Sequence, residues 1–280
     1  MGVLLGLAAA VAYGSSDFIA GLLSRRASYL QVAAVGQAVA VVCTGIAIPF
    51  TSPAGPDRAA IGWGIVSGVG VALGSLALYR GLAAGQMAVA GPLSGVGAAA
   101  LPALAGIALG ERPSVGTVAG IVLALPAVWL VSTVDRPAAG TGPVSAGVRD
   151  GLLAGVGFAV LFFGLDRAGT GDTGLWPVAV AQGTSVVLLA AAVLLRRPPR
   201  LAGHRMTAAA GSVGLLGGAA TVLFFLATNK GLLAVAAVLT ALYPAFTVLL
   251  ARLTLGERLS RVQTVGLCVA AVAVTLIVTG

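Results

Sequence analysis

Apolar residues run in stretches of about 20 along the whole chain, the length a helix needs to cross a hydrocarbon core, and polar residues gather in short breaks between them. The pattern predicts ten helices, at roughly 2–23, 29–50, 60–80, 87–109, 115–134, 150–168, 174–195, 207–228, 232–252 and 262–279. The breaks carry turn and stop residues, as in Thr51-Ser52-Pro53-Ala54-Gly55-Pro56-Asp57 and Arg196-Arg197-Pro198-Pro199-Arg200. Asp135 to Arg149, rich in Pro and Gly, is the longest polar stretch and reads as a linker. The expected fold class is an all-α membrane protein with ten transmembrane helices.

The pattern repeats. Leu109-Gly110-Glu111-Arg112 ends one hydrophobic run, and Leu255-Gly256-Glu257-Arg258 ends another 146 positions later. Nearly the same offset joins Tyr13/Asp17 to Phe162/Asp166, Ala34-Val35-Gly36-Gln37 to Ala179-Val180-Ala181-Gln182, Arg80-Gly81-Leu82 to Lys230-Gly231-Leu232, and Gly120 to Gly266. The chain therefore divides into a first five-helix repeat at 1–134, a linker at 135–149 and a second repeat at 150–280. An odd number of crossings makes the second copy enter the bilayer inverted, the build of secondary transporters.

Composition changes this picture little. Of 280 residues, 59% are hydrophobic and 9% charged. The 41 glycines include small-xxx-small pairs such as Gly70/Gly74, Gly151/Gly155 and Gly214/Gly218, which suit close helix contact in lipid. The net charge of +8 comes from arginines at segment ends, without the basic, aromatic-interleaved stripe of a nucleic-acid binder. Cys43 and Cys268 lie inside apolar runs and imply neither a disulfide framework nor a metal site. The first apolar run outlasts a cleavable signal and is expected to be a retained helix.

The paired Leu-Gly-Glu-Arg motifs, the Gly81-Leu82 and Gly231-Leu232 openings after the third and eighth helices, and Tyr243-Pro244 thirteen residues before Glu257 are together similar to the drug/metabolite transporter superfamily, in its ten-helix EamA-type branch. The resemblance spans essentially the whole chain. It implies a small-solute transporter with both termini in the cytoplasm. The first copy departs from the pattern: Ala98 stands where the second has Pro244, between Pro92 and Pro102, so its fourth helix is expected to bend at another level.

Charge argues for the opposite orientation. One side takes Arg25, Arg26, Arg80, Arg136, Arg149, Arg196, Arg197, Arg200, Arg205, Arg252, Arg258 and Arg261, whereas the other takes Arg58, Arg112, Arg167 and Lys230. The positive-inside rule would put the first group in the cytoplasm and both termini outside.

An ionisable residue inside a membrane helix is costly and marks a candidate site. Asp17 lies two-thirds along the first helix, with Tyr13, Gly14, Ala20 and Gly21 on its face. It either takes up and gives off a proton during transport or is hydrogen-bonded as part of the frame. Asp166, its counterpart, is a second proton-coupling candidate, although Arg167 and a Gly-rich loop follow it. The resemblance extends to the related small multidrug-resistance transporters, whose halves each carry a working carboxylate on the first helix.

Tyr13, Gln37, Gln182, Thr240 and Tyr243 are candidate substrate ligands. The two glutamines occupy equivalent levels and either orient a polar solute or bridge helices. Pro244 is expected to free a backbone carbonyl near Leu239 and Thr240, the kind of helix break where transporters place ligands. Glu111 and Arg112, with Glu257 and Arg258, read as structural signatures that pin helix ends through inter-helix salt bridges. Arg80 and Lys230 read as snorkelling side chains, and Trp63, Trp129 and Trp176 as interface anchors.

Lys230 is the only lysine and is followed by Gly231, so no P-loop exists and no ATPase is required. His204, the only histidine, has no carboxylate nearby, which argues against a metal site or a Ser-His-Asp hydrolase. No cofactor is expected, and the reading is not an enzyme. These observations point to an alternating-access secondary transporter of the cytoplasmic membrane. It would export or exchange an amino acid, a nucleobase-like metabolite or an amphipathic cation, with proton coupling through Asp17. Its partners would be that solute and the bilayer, not nucleic acid, and a monomer suffices to enclose a site. The alternatives are an uncoupled facilitator and a membrane scaffold or lipid-translocating partner without its own solute.

Overall fold

The computed structural model describes residues 1–51, 55–84, 87–132, 144–169, 173–199, 201, 203–255 and 260–280. Its helices are α1 (Gly2–Ser24), α2 (Tyr29–Ala47), α3 (Arg58–Ala83), α4 (Met87–Ala108), α5 (Val115–Ser132), α6 (Val144–Arg167), α7 (Trp176–Arg196), α8 (Gly203–Thr228), α9 (Leu233–Thr240), α10 (Tyr243–Leu255) and α11 (Arg261–Thr279), with a 3₁₀ turn at Ile48–Phe50. Among the described residues, nine segments are long and apolar enough to cross a membrane, α9 and α10 counting as one, and the apolar helix at Val115–Val131 is shorter. The fold is an all-helical membrane protein, as the hydrophobic pattern predicts.

Helix starts follow local chemistry. Asp57 Oδ1 accepts from the Ala60 N–H at 2.6 Å, and Ser260 and Gln263 form a reciprocal capping box at the head of α11. Two predicted boundaries shift. Helix α6 begins at Val144, six residues inside the expected linker, and α8 at Gly203 instead of 207. Hydropathy marks where a segment enters hydrocarbon, whereas helical hydrogen bonding continues into the polar layer, where exposed Arg149 and Arg205 stay solvated. Residues 133–143, the end of the first repeat and most of the linker, lie outside the described residues.

A third difference separates the two copies. The expected single ninth helix is interrupted at Ala241-Leu242, immediately before Tyr243-Pro244, because proline lacks the N–H that would continue the ladder. Its first-copy counterpart, α4, remains one helix over Met87–Ala108 despite its prolines, so the bend expected there does not break it.

Packing follows the repeat. Helix α1 lies on α8 as α3 lies on α6, α2 crosses both α7 and α8, α3 also meets α7, and α5 pairs with α11. Exchanging the first copy for the second maps these contacts onto one another. Glycine sets the seams: a Cβ at Gly214 would overlap the Gly36 carbonyl, and one at Gly68 would overlap that of Ala181, a pair at equivalent positions. The buried interior is rich in alanine, with Phe224, Phe225, Leu161 and Leu165 as its largest members. Exposed Leu4, Ile46, Leu73, Leu104, Val122 and Val187 form the apolar exterior that a bilayer covers.

Candidate functional site

Between the two repeats lies a cavity walled by both. The first copy contributes α1, α2 and α3 through Tyr13, Ser16, Asp17, Gln37, Ser75 and Tyr79. The second contributes α6, α8 and α10 through Phe158, Phe162, Gly217, Thr221 and Tyr243. The space free of atoms, counted out through its open mouth, is about 640 Å³. Glycines on α8 (Gly214, Gly217 and Gly218) keep that wall shallow.

Aromatic rings and hydroxyls hold the lining in place. The Tyr13 hydroxyl bonds the Thr221 hydroxyl at 2.8 Å, and Thr221 donates to the Gly217 carbonyl one turn back. The Tyr243 hydroxyl lies 3.0 Å from that of Ser94 on α4. Ser16 donates to the Val213 carbonyl at 2.9 Å, which ties α1 to α8. Tyr13 stands near Phe162 and Tyr243, with ring centroids 6.2 and 6.4 Å away, and Phe162 stacks on Phe224 at 4.2 Å. Each contact joins the two copies or braces a ring that does.

Asp17 is the only acidic group among the cavity's lining residues. No salt bridge to it occurs among the described residues, where the ion pairs are Arg80 and Arg149 with Asp150. A half-buried carboxyl facing a largely apolar, aromatic-lined cavity, without a salt-bridged cation among the described residues, can exchange a proton or receive a cationic group.

Of the seven predicted coupling and substrate residues, four converge here: Tyr13, Asp17, Gln37 and Tyr243. Thr240 is buried beside the helix break and donates to the Gly6 carbonyl at 3.4 Å, behind the wall. Gln182 is buried, and neither its oxygen nor its nitrogen has a hydrogen-bond partner. It lies behind Gly218, where its nitrogen would be 3.4 Å from an added Cβ. Asp166 is half-exposed at the end of α6 beside Arg167 and away from this cavity. Sequence reasoning missed Tyr79 and Ser75, although Val71, Ser75 and Tyr79 fall at i, i+4, i+8 on one face of α3 and all line the cavity. That spacing was the available signal.

A profile of the EamA-like transporter family matches residues 1–133 and again 146–279. The chain belongs to the EamA-like transporter family. The duplicated match coincides with the repeat seen in both sequence and packing. This EamA-like transporter is also 31% identical over 130 residues to an uncharacterized protein of Methanocaldococcus jannaschii, a match covering 46% of this chain and 95% of that protein, the size of one repeat. A solved crystal structure superposes with a TM-score of 0.78 at 16% identity, covering 98% of this chain and 95% of the other, and shares the fold.

The recurrent Leu-Gly-Glu-Arg motif of this EamA-like transporter acquires a physical role in its first copy. Gly110, at φ 102°, ends α4 in the left-handed region that favours glycine. The next residue, Glu111, turns back so that its Oε1 accepts from the Leu233 N–H at 2.5 Å and its Oε2 from the Ala234 N–H at 3.0 Å. The expected inter-helix salt bridge is not found for Glu111 among the described residues; two orphan N–H groups and the positive end of α9 hold the carboxylate instead. Glu257 and Arg258 lie outside the described residues. Arg80 is also corrected: it does not snorkel alone but pairs with Asp150 of α6, Nε at 3.0 Å and Nη2 at 2.5 Å.

Proposed function

We propose that this protein is a secondary transporter of the cytoplasmic membrane that moves a small metabolite carrying an ammonium group, with Asp17 as the proton and substrate-charge acceptor. The observation that carries the reading is the placement of Asp17 on a cavity lined by both inverted repeats, among Tyr13, Tyr79, Tyr243, Phe158 and Phe162. Aromatic faces and a carboxylate together suit a cation with apolar substituents, such as an amphipathic amine or an amino acid. A proton and the substrate cation would occupy Asp17 alternately, which couples their movements in opposite directions. The cavity is built within one chain, so a monomer suffices. The missing P-loop favours secondary transport.

The test is proton release from purified protein when amine-bearing metabolites are added, with Asp17→Asn as the comparison. Release by the wild type that vanishes in the variant supports the reading. Binding without release, or substrate exchange preserved in Asp17→Asn liposomes, overturns coupling and leaves an uncoupled facilitator. No solute-dependent stabilisation across metabolite pools would favour a scaffold.

A further inference from the structure

A second concavity lies on the outer face of the protein, where α2, α3, α6 and α7 meet, with about 970 Å³ of space free of atoms. Its walls are apolar and open to the surroundings: Leu73 is 58% exposed, Leu153 49% and Val156 52%. Its floor is the α3–α6 seam. There Gly70 and Gly157 bring two backbones so close that a Cβ at Gly70 would stand 2.6 Å from the Gly157 carbonyl oxygen. The groove is therefore a consequence of helix approach without side chains, and residues on either side form its banks.

The groove has a direction. Its apolar part starts at Val69 and its mouth is at Arg80, eleven residues along α3, or about 16 Å at the rise of an α-helix. That matches the depth of one leaflet of a hydrocarbon core about 30 Å thick. At the mouth stand Arg80, Arg196 and the amphipathic ring of Tyr29. Arg80 spends two N–H groups on Asp150, and Arg149 shares the same carboxylate. Two guanidinium groups thus share one acid, and Arg196 adds a further positive charge at the mouth, which is net positive at the headgroup level. This is the end that collects most of the arginines of the chain.

We propose that this groove binds one anionic phospholipid of the leaflet on the arginine-rich side, with an acyl chain along the α3–α6 seam and its phosphate at Arg196 and Arg80. An apolar slot of one leaflet's depth ending in guanidinium groups complements a lipid and not a soluble anion, which would leave the slot unfilled. Val71, Ser75 and Phe158 on the reverse face of the same helix pair line the central cavity. A lipid seated outside therefore bears on the wall of the transport site and favours whichever conformation keeps that seam closed.

The experiment is thermal unfolding of the purified full chain in detergent, titrated with phosphatidylglycerol or with phosphatidylcholine of the same acyl chains. Phosphatidylglycerol is expected to stabilise saturably at lower concentration. Arg196→Gln should weaken that response about five- to ten-fold, toward that of phosphatidylcholine. Arg205→Gln, at the same end but off the groove, should leave it intact, and Leu153→Trp, which fills the slot, should weaken the response to both lipids. Equal responses to the two lipids in the wild type overturn the proposal. So does equal weakening by Arg196→Gln and Arg205→Gln, which would mean diffuse charge attraction, or full stabilisation by glycerol phosphate alone, which would mean a soluble anion.

Discussion

Replacing Glu111 by Ala removes the acceptor for two backbone N–H groups at the head of α9, 122 and 123 residues away in sequence. Hydrogen bonds to a charged group contribute about 1.5–3 kcal/mol each, and loss of a helix N-cap costs about 0.5–2 kcal/mol. These describe overlapping effects, and the carboxylate is half-exposed, so the combined loss is about 2–3 kcal/mol. Glu111→Gln keeps one good acceptor but turns an amide NH₂ toward the second N–H, and should lose about half as much. At about 2–4 °C per kcal/mol, the range for chains slightly shorter than this one, Glu111→Ala lowers Tm by about 4–12 °C. Hydrogen exchange localises the effect: the Leu233 and Ala234 amides should lose protection first, about tenfold for each 1.4 kcal/mol of local opening. Gly106→Ala gives an independent route to the same end, because a Cβ there would run into the Glu111 carboxylate. An Ala variant with Tm within about 1 °C of wild type and unchanged protection at these amides would refute the capping role.

Three further variants test the seams and the buried ion pair. Gly157→Ala puts a methyl 2.6 Å from the Gly74 nitrogen at the α3–α6 seam; backbone cannot yield as a side chain can, so the variant should lose about 1–3 kcal/mol in reversible unfolding. Gly169→Ala, where an added Cβ meets no atom of the described residues, is destabilised through its φ of 81° and should lose less than a seam variant. Arg80→Gln leaves Asp150, 3% exposed, with Arg149 as its remaining ion-pair partner; the expected loss is about 1–3 kcal/mol, and Arg80→Gln with Asp150→Asn together should recover most of it, read as coupling in a double-mutant cycle.

The residues that carry Asp17 into a site show where sequence reasoning stops. Asp17 and Tyr13 stand out on α1 because a carboxyl and a phenol in an apolar run at one-turn spacing are visible without any partner. Gln37 stands out for the same reason. Gln182 has the same local signal and occupies the equivalent level, yet it lies behind Gly218 with both amide atoms unpaired. The repeat is symmetric in sequence, but the cavity draws unequally on its copies: Asp17 faces it and Asp166 does not. Tyr79 sits next to Arg80 near the end of α3 and carries no signal of its own; it joins the site because α3 turns that face inward.

Sequence by itself determined the spans, the duplication and the family, because bilayer thickness and backbone hydrogen bonding force each crossing to be an apolar helix of nearly fixed length. It also marked Pro244 as the point of disturbance in the ninth helix, since the missing N–H is a local property, whereas the interruption at Ala241-Leu242 came from the structure. Tertiary structure decided which faces meet. In lipid, hydrophobicity does not distinguish a helix's inner face from its outer one, and close packing at glycines chooses the partners. That choice placed Asp17 among aromatic rings from the other repeat. It also set Glu111 on the end of a helix more than a hundred residues away and opened a one-leaflet groove on the outside of the wall that lines the cavity.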